Sequence, residues 1–106
     1  MTRIVQIETA VDSESAAARL AAALVEEHLA ACVQILGPME STYRWKGAIE
    51  RSTEWLCRAK TTASRSRATV ARIRELHSYG QPEILVTLVS GGDEGYLKWV
   101  EEQVEP

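Results

Sequence analysis

The fold of this chain is decided by residues 31–61, ACVQILGPMESTYRWKGAIERSTEWLCRAKT. Two runs rich in β-branched and aromatic residues flank a Lys46-Gly47 reversal, where glycine supplies the positive φ of a tight turn. The pattern predicts one long β-hairpin. Each arm of about 14 residues would span roughly 45 Å, whereas a compact chain of 106 residues is only about 33 Å across. Such arms must bend or pair beyond their own subunit, which is a first indication of an oligomer.

Two features shape the hairpin. Gly37-Pro38 interrupts the first arm, and because proline donates no ladder hydrogen bond we expect a bulge or bend there. Alternation along the second arm predicts two faces, one with Trp55, Cys57 and Ala59 and the other with Glu54, Leu56, Arg58 and Lys60.

The flanking segments predict two strands and three helices. We expect strands over residues 2–8 and 83–89, the second of them a central strand because its run ILVTLV is nearly continuously apolar. Helices are predicted over 14–29, capped by Asp12 or Ser13, over 63–76, and after Asp93. The last helix should present Tyr96, Leu97, Trp99 and Val100 on one face. The order β-α-β-β-α-β plus a short C-terminal helix is the ferredoxin-like α+β pattern, here one domain over residues 1–106.

Composition excludes several classes of protein. A content of 45% apolar and 25% charged residues is that of an ordinary globular domain. The net charge of −3 argues against nucleic acid as a partner, and no apolar run approaches the length of a membrane span. The first residues lead into a strand without a signal-peptide core, so a cytoplasmic location is expected. Cys32 and Cys57 lack metal or redox spacing; we expect free thiols, with a cross-strand disulfide as the alternative.

No nucleophile elbow, P-loop or HExxH motif is present. The most suggestive group is His77, Tyr79 and Glu83, with Lys60 at the end of the preceding strand, because both strand ends could converge at one edge of the sheet. A histidine and a carboxylate suit Cu(II) or Zn(II), although two ligands do not complete a site. The alternative is that His77 and Glu83 satisfy backbone groups around the Pro82 turn.

Two larger sets of residues, one basic and one aromatic, each allow two interpretations. The basic residues could form an anion site, but a solvated surface is favoured; they are Arg58, Lys60, Arg65, Arg67, Arg72 and Arg74. The aromatic residues superficially suggest a platform for single-stranded nucleic acid, but a subunit interface is favoured; they are Tyr43, Trp45, Trp55 and Trp99.

Four stretches together resemble the CutA family of divalent-cation tolerance proteins. They are LVEEHLAACVQILGPMESTYRWKG at 24–47, KTT at 60–62, LHSYGQPEILV at 76–86 and YLKWV at 96–100. The resemblance implies a homotrimer of ferredoxin-like subunits whose hairpin arms pair across subunits. It also implies a link to copper or other divalent cations without an established reaction. The trimer is similar to that of PII signalling proteins, which bind small anionic effectors between subunits.

The resemblance also implies site residues. His77 is the metal candidate, and the candidate ligand cleft comprises Tyr43, Trp45, Lys60, Thr61, Tyr79 and Glu83; Pro82 and Trp99 also match recurrent family positions. This chain departs from the family pattern elsewhere. Glu8 stands where some members have a metal-associated cysteine, and Leu76 stands where those members have a neighbouring histidine. Ser78, Gly80 and Leu88 also replace residues usual in the family. Copper binding through the cysteine–histidine constellation is therefore not expected.

We accordingly expect a trimeric binding or scaffolding protein that is not an enzyme. It should require no cofactor and interact weakly, at most, with Cu(II) or another divalent cation. The alternative is a PII-like sensor in which Lys60 and nearby arginines hold a small anionic ligand. A third possibility is an enzyme that uses Lys60, Tyr79 and Glu83 for proton transfer.

Overall fold

The computed structural model describes residues 2–105 and confirms the ferredoxin-like α+β fold. Its elements, in order, are β1 Ile4–Val11, α1 Glu14–Glu26, β2 Cys32–Trp45, β3 Ala48–Thr62, α2 Ala63–Leu76, β4 Ile84–Leu88 and α3 Glu94–Gln103. The strands form one antiparallel sheet in the order β2-β3-β1-β4. None of the helices within residues 2–105 has the length and hydropathy of a membrane-spanning segment.

The hairpin has the predicted length. Its strands contain 14 and 15 residues. Lys46 and Gly47 have φ values of 49° and 82°; positive φ at both central residues is the geometry of a type I′ turn. Strand β1 pairs with β3 only as far as Trp55, so residues 39–54 project past the end of the sheet. The molecule is correspondingly elongated, with extents of 45 × 26 × 22 Å.

The predicted irregularity lies at Gly37-Pro38. This peptide bond is cis, and the β2–β3 register shifts between Leu36 and Met39. Gly37 has a φ of 151°, and a Cβ placed there would lie 2.8 Å from Cδ1 of Trp55. No side chain fits this close approach, so glycine is required by both backbone conformation and space.

The main core lies between one face of the sheet and helices α1 and α2. Its fully buried members include Ile7, Ala17, Leu24, Cys57 and Ile73. The expected alternation of β3 is confirmed, since Cys57 and Ala59 enter this core while Arg58 and Lys60 do not.

Element ends differ from prediction where tertiary contacts intervene. Ser13 caps α1, its Oγ accepting the Ala16 N–H at 3.1 Å. The helix ends at Glu26, three residues early, because His28 takes a φ of 58° and the Leu29 and Ala30 N–H groups both donate to the Leu24 carbonyl. Strand β1 in turn extends to residue 11 because Ala10 and Val11 continue to pair with β3, opposite Leu56 and Trp55.

Helix α3 covers the other face at one end of the sheet. Asp93 caps it as predicted, accepting the Tyr96 N–H at 3.0 Å. The single apolar face predicted for α3 is wrong, because Tyr96 and Trp99 are exposed and pack on each other at 5.6 Å. The buried cluster instead combines Val100 and Val104 with Ile4 and Ala31, and Leu97 packs against it.

The prediction of a central strand for the ILVTLV run is wrong. Strand β4 pairs only with β1 and lies at the edge of the sheet. Leu85, Val86 and Leu88 consequently remain 55%, 49% and 54% exposed. The apolar residues of β4 therefore form a surface that is left exposed in a single subunit.

Both cysteines are free, as expected. Cys57 pairs with Ile35 and is buried in the main core, whereas Cys32 lies opposite Lys60 on the other side of the sheet. Burial raises the pKa of the Cys57 thiol to about 11, so this group stays protonated at neutral pH.

We predict that Gly37→Ala lowers the free energy of unfolding by about 1–3 kcal/mol, because the new methyl group must displace the Trp55 ring. Gly91→Ala is the matched control, since an added Cβ there meets nothing within 4 Å. Urea unfolding of the three proteins measures the difference. Equal losses in both variants would contradict a steric role for Gly37.

Candidate functional site

A groove of about 990 Å³ lies between the projecting part of the hairpin and the loop that joins α2 to β4. Tyr43 and Trp45 line it from strand β2, while Tyr79 and Glu83 line it from the loop. These are four of the six residues predicted for a ligand cleft. The structure therefore brings together two segments that are more than 30 residues apart in the chain.

Strands β2 and β3 form one side of the groove, and the strand register set by the I′ turn determines which of their side chains face it. Tyr43 pairs with Glu50, and Met39 pairs with Glu54; directly paired residues of antiparallel strands project from the same face. Glu50 and Glu54 accordingly line the same groove as Tyr43. Sequence reasoning missed both glutamates, although counting outward from the Lys46-Gly47 turn places them there.

The loop between α2 and β4 forms the other side of the groove, and His77 fixes its position through two hydrogen bonds. The geometry gives each of its ring nitrogens a role: Nε2–H donates to the Ala10 carbonyl at 2.9 Å, and Nδ1 accepts the Tyr79 N–H at 3.1 Å. The Tyr79 hydroxyl then donates to Oε2 of Glu54 at 2.9 Å. This last bond joins the loop directly to the hairpin.

The groove is acidic. Glu50, Glu54 and Glu83 line it, and no Lys, Arg or His of residues 2–105 does. Glu54 is only 8% exposed. Burial, and secondly the hydrogen bond to Glu54, raise the pKa of Tyr79 well above the ordinary value of 10.0, so its phenol remains a donor at neutral pH.

Lys60 and Thr61 lie elsewhere, and the expected convergence of Lys60 with the loop is not observed. Lys60 is six residues beyond Glu54 along β3, about 20 Å away, and its Nζ donates to Oε1 of Gln34. Thr61 is fully buried opposite Val5. Because the loop meets the hairpin at the far end of β3, the ligand roles of Lys60 and Thr61 stay predictions.

The metal candidates have other partners in this subunit. His77 uses both ring nitrogens, as described above, which agrees with the backbone-satisfying alternative. Glu8 accepts a 2.7 Å bond from Nε of Arg58, its cross-strand neighbour. Among residues 2–105, no three His, Cys, Asp or Glu side chains converge closely enough to hold one metal ion. A metal role for His77 stays a prediction, and it would require the bond from Tyr79 to open.

Several of the basic residues have separate partners. Arg72 binds both carboxylate oxygens of Glu27 at 3.0 Å, and Nε of Arg65 donates to the Val104 carbonyl at 2.8 Å. Together with the Arg58–Glu8 pair, this arrangement agrees with the favoured interpretation of a dispersed, solvated set.

Comparison with known proteins now assigns the family. The family described as CutA1 divalent ion tolerance protein matches residues 5–103. The chain belongs to the CutA1 family. It is 40% identical to the divalent-cation tolerance protein CutA of Pectobacterium atrosepticum, over 92% of this chain and 87% of that one. The Thermus thermophilus CutA is 41% identical, over 87% and 89% of the two chains. The crystal structure of CutA from Xylella fastidiosa matches with a TM-score of 0.94 at 35% identity, covering 96% and 98%.

For this CutA1-family chain, we predict that Tyr79→Phe lowers the free energy of unfolding by about 1–3 kcal/mol near neutral pH, because buried Glu54 loses its hydrogen-bond donor. Tyr43→Phe is the control, since Tyr43 is exposed and its hydroxyl, among residues 2–105, forms a hydrogen bond with Ser52 Oγ alone, at 3.3 Å. Urea unfolding that gives the same small loss for both variants would contradict a linking role for Tyr79.

The same pair of variants has a pH dependence. Folding raises the pKa of Tyr79, so the stabilisation is fully present below the unfolded value of about 10 and is lost as the pH rises towards the folded value. The stability difference between wild type and Tyr79→Phe should therefore shrink above about pH 10. Parallel profiles for the two proteins at alkaline pH would rule this linkage out.

Proposed function

We propose that this CutA1-family protein is a homotrimeric binding or scaffolding protein that acts in divalent-cation tolerance without catalysing a reaction. The observation that carries the assembly is the bare edge of β4, where Leu85, Val86 and Leu88 are about half exposed. An open apolar edge strand is a template for pairing with another chain. Burying it in a second subunit explains why a strand with a nearly continuous apolar run lies at an edge.

The hairpin supports a head-to-tail arrangement. Strand β2 forms the opposite edge of the sheet, and exposed Trp45 and Ile49 extend the apolar surface to the hairpin tip. Pairing the β2 edge of one subunit with the β4 edge of the next uses two different surfaces, which closes into a ring when the rotation allows. The expectation of three subunits in the assembly comes from the family resemblance.

Binding is favoured over catalysis because the acid–base group considered from the sequence is not assembled in one subunit. Tyr79 and Glu83 share the groove, but Lys60 lies at the other end of the hairpin stem. The free thiols of Cys32 and Cys57 support a reducing compartment, and we propose the cytoplasm.

The metal part of the proposal is a weak interaction with Cu(II) or another divalent cation, centred on His77. Imidazole suits copper and zinc, and the family names concern divalent cations. The engagement of both His77 nitrogens supports weak rather than tight binding.

The alternative is a PII-like sensor of an anionic effector. One subunit lends it little support, because the groove is lined by three carboxylates and by no basic side chain among the described residues. An anion would need basic residues from a neighbouring subunit.

We predict that light scattering gives a mass three times the 11.7 kDa of one chain. Val86→Lys should lower this mass, because a charged side chain on an edge strand opposes pairing. Val25→Lys, at a valine exposed to a similar degree on α1, should leave it unchanged. A wild-type mass near that of one chain would refute the trimer.

Calorimetric titration with Cu(II) tests the metal proposal. His77→Gln should weaken copper binding by about tenfold, or 1.4 kcal/mol, whereas His28→Gln, which changes the only other histidine, should not. Equal isotherms for wild type and His77→Gln would remove His77 as a ligand.

A further inference from the structure

We draw no further inference here: the strongest candidate, the polar cluster in which Arg58 pairs with Glu8 and Lys60 with Gln34 on the face of the sheet opposite helices α1 and α2, carries no proposal because nothing in the structure of residues 2–105 shows what covers that face.

Discussion

The structure depends on one constraint, the antiparallel register that the Lys46-Gly47 turn imposes on the hairpin. Positive φ at both residues closes a two-residue I′ turn, and this fixes which residues of β2 and β3 face each other. The register places Tyr43 beside Glu50 and holds as far as Met39 opposite Glu54; it shifts at Gly37-Pro38, where only glycine passes the Trp55 ring. A shift of one residue would turn the groove residues to the other face and remove Cys57 and Ala59 from the core.

The hairpin is longer than its own sheet can support, and this has two consequences. The portion beyond Trp55 has no β1 neighbour, so it forms a wall against which the α2–β4 loop can close a groove. The same elongation leaves apolar side chains at the hairpin tip and along the β4 edge exposed. The surface proposed for assembly therefore adjoins the groove, which would couple the groove to the neighbouring subunit.

The groove depends on a short relay of hydrogen bonds. His77 binds the Ala10 carbonyl and orders the Tyr79 backbone, and the Tyr79 hydroxyl holds Glu54. His77, the metal candidate from the sequence, thus acts in this subunit by positioning Tyr79, which in turn holds the Glu54 carboxylate. The resulting groove is lined by three carboxylates and by the exposed rings of Tyr43 and Trp45.

The order of the elements, the hairpin, its turn and its bulge could be predicted from the sequence, because these follow from local rules of chirality, proline chemistry and alternation. The family resemblance also named Tyr43, Trp45, Tyr79 and Glu83 as ligand candidates, and the structure places these four around one groove. The folded structure was needed to show that Lys60 and Thr61 lie away from them, that β4 is an edge strand and that Glu54 is buried beneath Tyr79. These outcomes depend on which distant segments meet and on how far each strand reaches. Local patterns specify the face on which a side chain lies, but not the segment that it will contact.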